Sequence, residues 1–164
     1  MSTTIPARRL QLSELAAKQY AAMFRLSSSV ELDHALRGLI EIRASQINQC
    51  AFCLDMHWKD ARAAGASEER LYMLDSWRES PLYDERERAA LELCEAMTLI
   101  ADGDVPDDVW YRAVSVFDAQ ELGQLVFAIT VINAWNRLNI TVRSEPGHYE
   151  PGQFDRVRVP AARR

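Results

Sequence analysis

Two cysteines and a histidine fall within one short stretch of this chain, Cys50-Ala51-Phe52-Cys53-Leu54-Asp55-Met56-His57. On a helix Cys53 and His57, four residues apart, share a face, so an imidazole lies within proton-exchange reach of a thiol. Cys50 and Cys53 are three apart, inside the Cα separation of about 4.4–6.8 Å that a disulfide tolerates. One thiol can then attack an electrophile while the other resolves the product. Attack requires the thiolate, and a cysteine with an ordinary pKa near 8.5 is mostly protonated at neutral pH. A helix N-terminus with unpaired amides and a nearby base both lower that barrier. Asn48-Gln49 reads as a break, so the cysteine pair opens a helix, and Arg43 adds positive charge if the preceding helix folds back.

A lone CxxC is also half of a zinc site. Four ligands are wanted, and the chain offers besides only Cys94, His34, His57 and His148, none with paired spacing. Cys94 lies on the apolar stripe of its own helix and reads as a core residue. His34 and His148 read as surface histidines, and the four tryptophans as packing anchors rather than a cofactor box. No cofactor and no metal is expected.

The elements that position these groups are helical. Apolar positions recur at three- and four-residue intervals and two-residue alternation is nearly absent, which predicts an all-α fold of about seven helices. The first runs from near Ser13, its N-cap, to Leu26, with Leu15, Tyr20, Met23 and Phe24 giving its apolar surface. The second spans Glu31 to Ile47. The cysteines open the third, which ends near Ala64 before Gly65 in a left-handed position. A fourth runs from Ser67 to about Trp77. Asp84 and Glu87 form a capping box ahead of Ala90, Leu93, Cys94 and Met97, and that fifth helix ends at Gly103-Asp104. Pro106 with Asp107 and Asp108 starts the sixth. The seventh begins at Asp118 or Ala119 and reaches Leu138; it is apolar on nearly all sides, which predicts cover from a second copy of the chain. The domain is single: an N-terminal helical segment over 1–30, a core over 31–142, and an extended arm over 143–164 that holds Pro146, Gly147, Pro151, Gly152 and Pro160.

A chain of 164 residues buries roughly 70% of its unfolded surface without staples. With 19 basic and 24 acidic side chains, the net charge of -5 argues against a nucleic-acid or anionic-membrane partner. Arg8 and Arg9 are not followed by an apolar stretch of signal-peptide length. The uncharged run from Leu122 to Asn136 falls short of the ~20 residues of a bilayer span and reads as a buried helix. A CxxC pair with one further cysteine fits a redox role in a reducing cytoplasm.

At these residues the chain resembles the carboxymuconolactone decarboxylase family, in its alkylhydroperoxidase D-like branch. The likeness is carried by the run from Glu41 through Cys50, Cys53 and His57 to Arg62, then by Gly65, Trp77-Arg78-Glu79, Tyr83, the stretch from Arg86 to Leu91, and Asn133-Ala134-Trp135-Asn136-Arg137. The resemblance implies an all-α fold assembled as trimers or hexamers, and a peroxidase acting on organic hydroperoxides. In that cycle Cys53 is the peroxidatic thiol that becomes a sulfenic acid, Cys50 condenses with it to a disulfide, His57 relays protons on the Cys53 side, and an external dithiol system regenerates the pair. The family relay includes a glutamate twelve residues before the first cysteine, where this chain has Gly38. Glu41 lies about 60° round the helix from that position and is the candidate replacement; if it faces away, His57 has no carboxylate to orient it. Lactone decarboxylation, in which the thiols are unnecessary, is a second reading, and a non-catalytic oligomeric binding or scaffold protein a third.

Overall fold

A computed structural model of the chain describes residues 7–154. The ends of the predicted N-terminal segment and of the predicted arm, Pro160 included, lie outside the described residues. Among the described residues the fold is all-α, as the periodicity predicts, with no strand. The helices are α1 (Leu12–Leu15), α2 (Ala17–Ser28), α3 (His34–Ile47), α4 (Ala51–Ala63), α5 (Glu68–Tyr72), α6 (Glu85–Thr98), α7 (Asp107–Val116) and α8 (Ala119–Val142). Two short 3-10 segments, Met73–Ser76 and Ile100–Asp102, extend α5 and α6.

Helix starts follow their side chains. The Asp33 carboxylate accepts from the Leu36 amide at 3.0 Å, so α3 begins after Asp33 rather than at Glu31. The box at Asp84 and Glu87 is formed in both directions, and Asp118 with Glu121 makes a second one at the start of α8. At the end of α4, Gly65 adopts φ 95 and a Schellman pair closes the helix, with Ala66 N bonding Ala61 O and Gly65 N bonding Arg62 O, both at 3.0 Å.

Further expectations are corrected. The first helix is two, broken at Ala16 (φ -133, ψ 45); Gln11 rather than Ser13 occupies the N-cap, because Ser13 already lies inside the first turn. Leu15 is 71% exposed, since a four-residue helix has no stripe to bury. Over 143–154 the arm is a strap folded back on its own chain. Lys59 donates to Tyr149 O at 3.0 Å, Gly147 N donates to Asp55 Oδ2 at 2.9 Å, and the Tyr149 hydroxyl donates to Asp60 at 2.8 Å.

α3 is the centre of the molecule and packs on α4, α6 and α8. Its Leu36, Ile40 and Ala44 enter one core with Cys50, Cys53, Leu93, Cys94, Leu125, Ile129 and Ile132. From another side of α3, Leu39 and Ile42 meet Leu71, Leu74, Trp77 and Leu91. Burying side chains of this size stabilises the fold by about 1.5–3 kcal/mol each, which fixes the crossing of α3 with α4 and α8. Cys94 is fully buried, and burial pushes its thiol up to about 12, as suits a core residue. α8 is long and apolar enough to cross a membrane by length and composition alone, but it buries nine residues within the bundle.

Candidate active site

The turn from α3 into α4 places the thiols. α3 closes in a Schellman pair in which Gln49 N bonds Gln46 O at 3.1 Å and Cys50 N bonds Ser45 O at 3.0 Å. The left-handed position that glycine usually fills holds Gln49, at φ 57. The chain reverses within two residues, so Cys50 becomes the N-cap of α4 and Cys53 falls in its first turn. The two sulfurs lie 2.6 Å apart; both thiols are free and each residue is 1% exposed.

Their charge is not evenly shared. A hydrogen bond links the two sulfurs, and it outweighs burial and lowers the Cys50 pKa. The backbone amide of Cys53 also favours the Cys50 thiolate, although too loosely for a formal N-cap bond, and His57 adds a favourable charge. Cys53 is held protonated by the same hydrogen bond, by burial and by the charge on Cys50.

On the far side of His57 stands Glu41. Its Oε2 is 3.1 Å from His57 Nδ1, and its Oε1 accepts from Arg37 Nε at 2.8 Å. Burial pushes this carboxyl up, but His57 and Arg37 outweigh it and hold the group at about 2. Gly38 faces α4 instead: a Cβ added there would lie 3.8 Å from Ala61 Cβ. Position 38 thus faces α4, where a Cβ would make ordinary contact, and the carboxylate comes from one turn later. The four residues predicted from the sequence, Glu41, Cys50, Cys53 and His57, are assembled around one turn between two helices.

Arg43 does not serve the thiols. It is held by Glu95 at 2.7 Å and Asp75 at 2.5 Å, because its face of α3 turns toward α6. His34 and His148 are exposed. Trp77 is buried and Trp135 packs edge-on against Tyr20 and Phe24, while Trp110 is 39% exposed and anchors little.

Sequence reasoning gave no role to a seam of amides on α8. Asn136, fully buried, donates to Ser45 Oγ at 3.0 Å, accepts from Asn48 Nδ2 at 2.9 Å, and stabilises the thiolate form of both cysteines. Asn133 donates to Thr98 Oγ1 at 3.0 Å, and Asn139 Nδ2 donates to Cys53 Sγ at 3.5 Å. The signal was there in the spacing: three asparagines at every third position of an otherwise apolar helix must each find partners when buried.

Residues 14–96 match the carboxymuconolactone decarboxylase family, over half of the chain. The chain belongs to that family. It is 42% identical over 120 residues to the uncharacterized protein YdfG of Bacillus subtilis (strain 168), covering 73% of this chain and 82% of that one. The crystal structure of ATU0492 from Agrobacterium tumefaciens, a protein of unknown function described as a putative antioxidant defence protein AhpD, superposes with a TM-score of 0.81 at 38% identity, over 87% of this chain and 100% of that chain. A peroxidase-related protein from Silicibacter sp. TM1040 shares the fold at 24% identity, with a TM-score of 0.70 over 84% of this chain and 73% of that chain. The carboxymuconolactone decarboxylase fold thus carries the CxxC pair of this member at the start of its α4.

Proposed function

We propose that the protein is a thiol-dependent peroxidase of organic hydroperoxides, with Cys53 attacking and Cys50 resolving. The observation that carries this reading is the pair of free sulfurs 2.6 Å apart, with Glu41 Oε2 3.1 Å from Nδ1 of the neighbouring His57. Likeness to the Agrobacterium tumefaciens protein described as a putative antioxidant defence protein supports a role in peroxide reduction.

In the resting pair one proton is shared and the charge favours Cys50. Glu41 holds the imidazole of His57, which takes up the other proton. Transfer of the Cys53 proton to Cys50 leaves the Cys53 thiolate beside the Asn139 amide. That thiolate attacks the terminal oxygen of a hydroperoxide; the S–O bond forms, the O–O bond breaks, and the departing alkoxide collects a proton from His57 to leave as an alcohol. Cys50 then gives up its proton as its sulfur attacks the sulfenic sulfur; the S–S bond forms, the S–O bond breaks, and the departing hydroxide takes up that proton by way of His57 and leaves as water. An external dithiol reduces the disulfide by exchange and restores both thiols.

Single-turnover oxidation with no recycling partner tests the assignment. Cys53→Ser should consume no hydroperoxide, whereas Cys50→Ser should consume one equivalent and stop at the sulfenic acid. Full consumption by Cys53→Ser excludes the mechanism.

A further inference from the structure

We propose that a cavity beside the redox pair holds the organic group of a bulky aromatic hydroperoxide, with Asn139 positioning the Cys53 sulfur at its inner end; the substrate half of this rests on the peroxidase reading above. The cavity measures about 530 Å³ and is walled by α2, α8 and the strap. That is within the range of roughly 300–1,000 Å³ of small-molecule sites.

Aromatic rings are prominent in its lining, beside the charged Arg8 and Glu145. Tyr20, Phe24, Phe52, Trp135, Leu138 and Phe154 line it. Ring centroids lie 5.2 Å apart for Tyr20 with Trp135 and for Phe24 with Trp135, and 5.5 Å apart for Phe24 with Phe154. The two pairs with Trp135 are edge-to-face and the third is tilted, and such arrangements offer a further flat ring the same contacts they make with one another. The outer wall is fixed to the CxxC helix, since Asp55, Lys59 and Asp60 of α4 all bond the strap.

Asn139 joins this cavity to the thiols. It lines the cavity and donates to Cys53 Sγ at 3.5 Å. Its amide has one orientation, because Nδ2 also donates to Trp135 O at 3.0 Å and Oδ1 accepts from Ser144 Oγ at 2.7 Å. The donor end therefore faces the sulfur, where it stabilises the Cys53 thiolate. A hydroperoxide whose ring fills the cavity brings its O–O group to this end. Hydrogen peroxide has no group to place there and gains nothing from the walls.

The test compares single-turnover oxidation of the wild-type protein by cumene hydroperoxide and by hydrogen peroxide. Ala21, which lines the cavity from α2, is replaced by tryptophan. Ala21→Trp should slow the cumene hydroperoxide reaction by about tenfold or more while leaving hydrogen peroxide within about twofold. Because that variant can fail to fold, binding of cumyl alcohol, the inert product, is measured on the wild type; it should quench tryptophan fluorescence, and Trp135→Phe should abolish the quench. Asn139→Ala should raise the pH midpoint of oxidation for both peroxides alike, and an unchanged midpoint overturns the positioning role. Equal rates in wild type and Ala21→Trp, or no quench, overturn the cavity assignment and leave the peroxidase reading standing. Cumyl alcohol binding with no oxidation by either peroxide overturns the peroxidase reading and the substrate with it.

Discussion

Glu41 shows how much a single side chain decides here. Burial alone would raise its carboxyl, yet His57 and Arg37 hold it at about 2, below the ordinary 4.5. A carboxyl whose folded pKa is depressed contributes stability that is present above its unfolded pKa and lost as pH falls through the folded one. The window is therefore between about 4.5 and about 2, and the shift corresponds to about 3 kcal/mol. Glu41→Gln should lose correspondingly less stability than the wild type when denaturant unfolding is compared at neutral pH and below about pH 3. The same substitution should slow thiol oxidation at neutral pH by about 100-fold, since His57 then lacks the carboxylate that orients it. Wild-type rates in Glu41→Gln would remove Glu41 from the relay. The cysteines and His57 were readable from spacing because all three belong to one helix and its N-cap. The meeting of Glu41 with His57 joins two helices, and residue spacing does not report how those helices cross.

At the scale of elements, the turn between α3 and α4 controls the site. Gln49 sits in the left-handed region at φ 57, which costs a side-chain-bearing residue about 1–2 kcal/mol. Gln49→Gly should raise stability by up to about 1 kcal/mol, and Gln49→Val should lower it by more, both measured by chemical denaturation. Equal stability of the two variants would mean that the turn is not strained. This turn was legible only as a break, because glutamine does not announce a left-handed conformation. Where sequence carries a cap with a mechanism, the element was legible. Asp84 with Glu87 and Gly65 stand where their chemistry puts them, and Asp118 opens α8 with a Glu121 whose half of the box went unread. Ser13 failed as a cap because a good capping residue also occurs inside a first turn. The strap was illegible for another reason: its order comes from Lys59, Asp55 and Asp60 on a distant helix, and a Pro- and Gly-rich segment shows no periodicity that would reveal them.

In the whole molecule, the all-α fold followed from the apolar period, while burial left some apolar groups outside. Phe127 and Ile140 on α8 are 53% and 45% exposed, and Tyr111 and Val114 on α7 are 66% and 47% exposed. Self-association would cover such faces, as the resemblance implies for this family. Light scattering at micromolar concentration should return a multiple of the 18.7 kDa chain mass, and a value of one chain mass would contradict the expected assembly. The thiol chemistry itself is tested most directly by the intact mass of the wild-type protein before and after one equivalent of organic hydroperoxide. The account predicts a loss of two hydrogens, reversed by a dithiol and absent in Cys53→Ser. An unchanged mass, or addition of oxygen that never resolves to a disulfide, would contradict it.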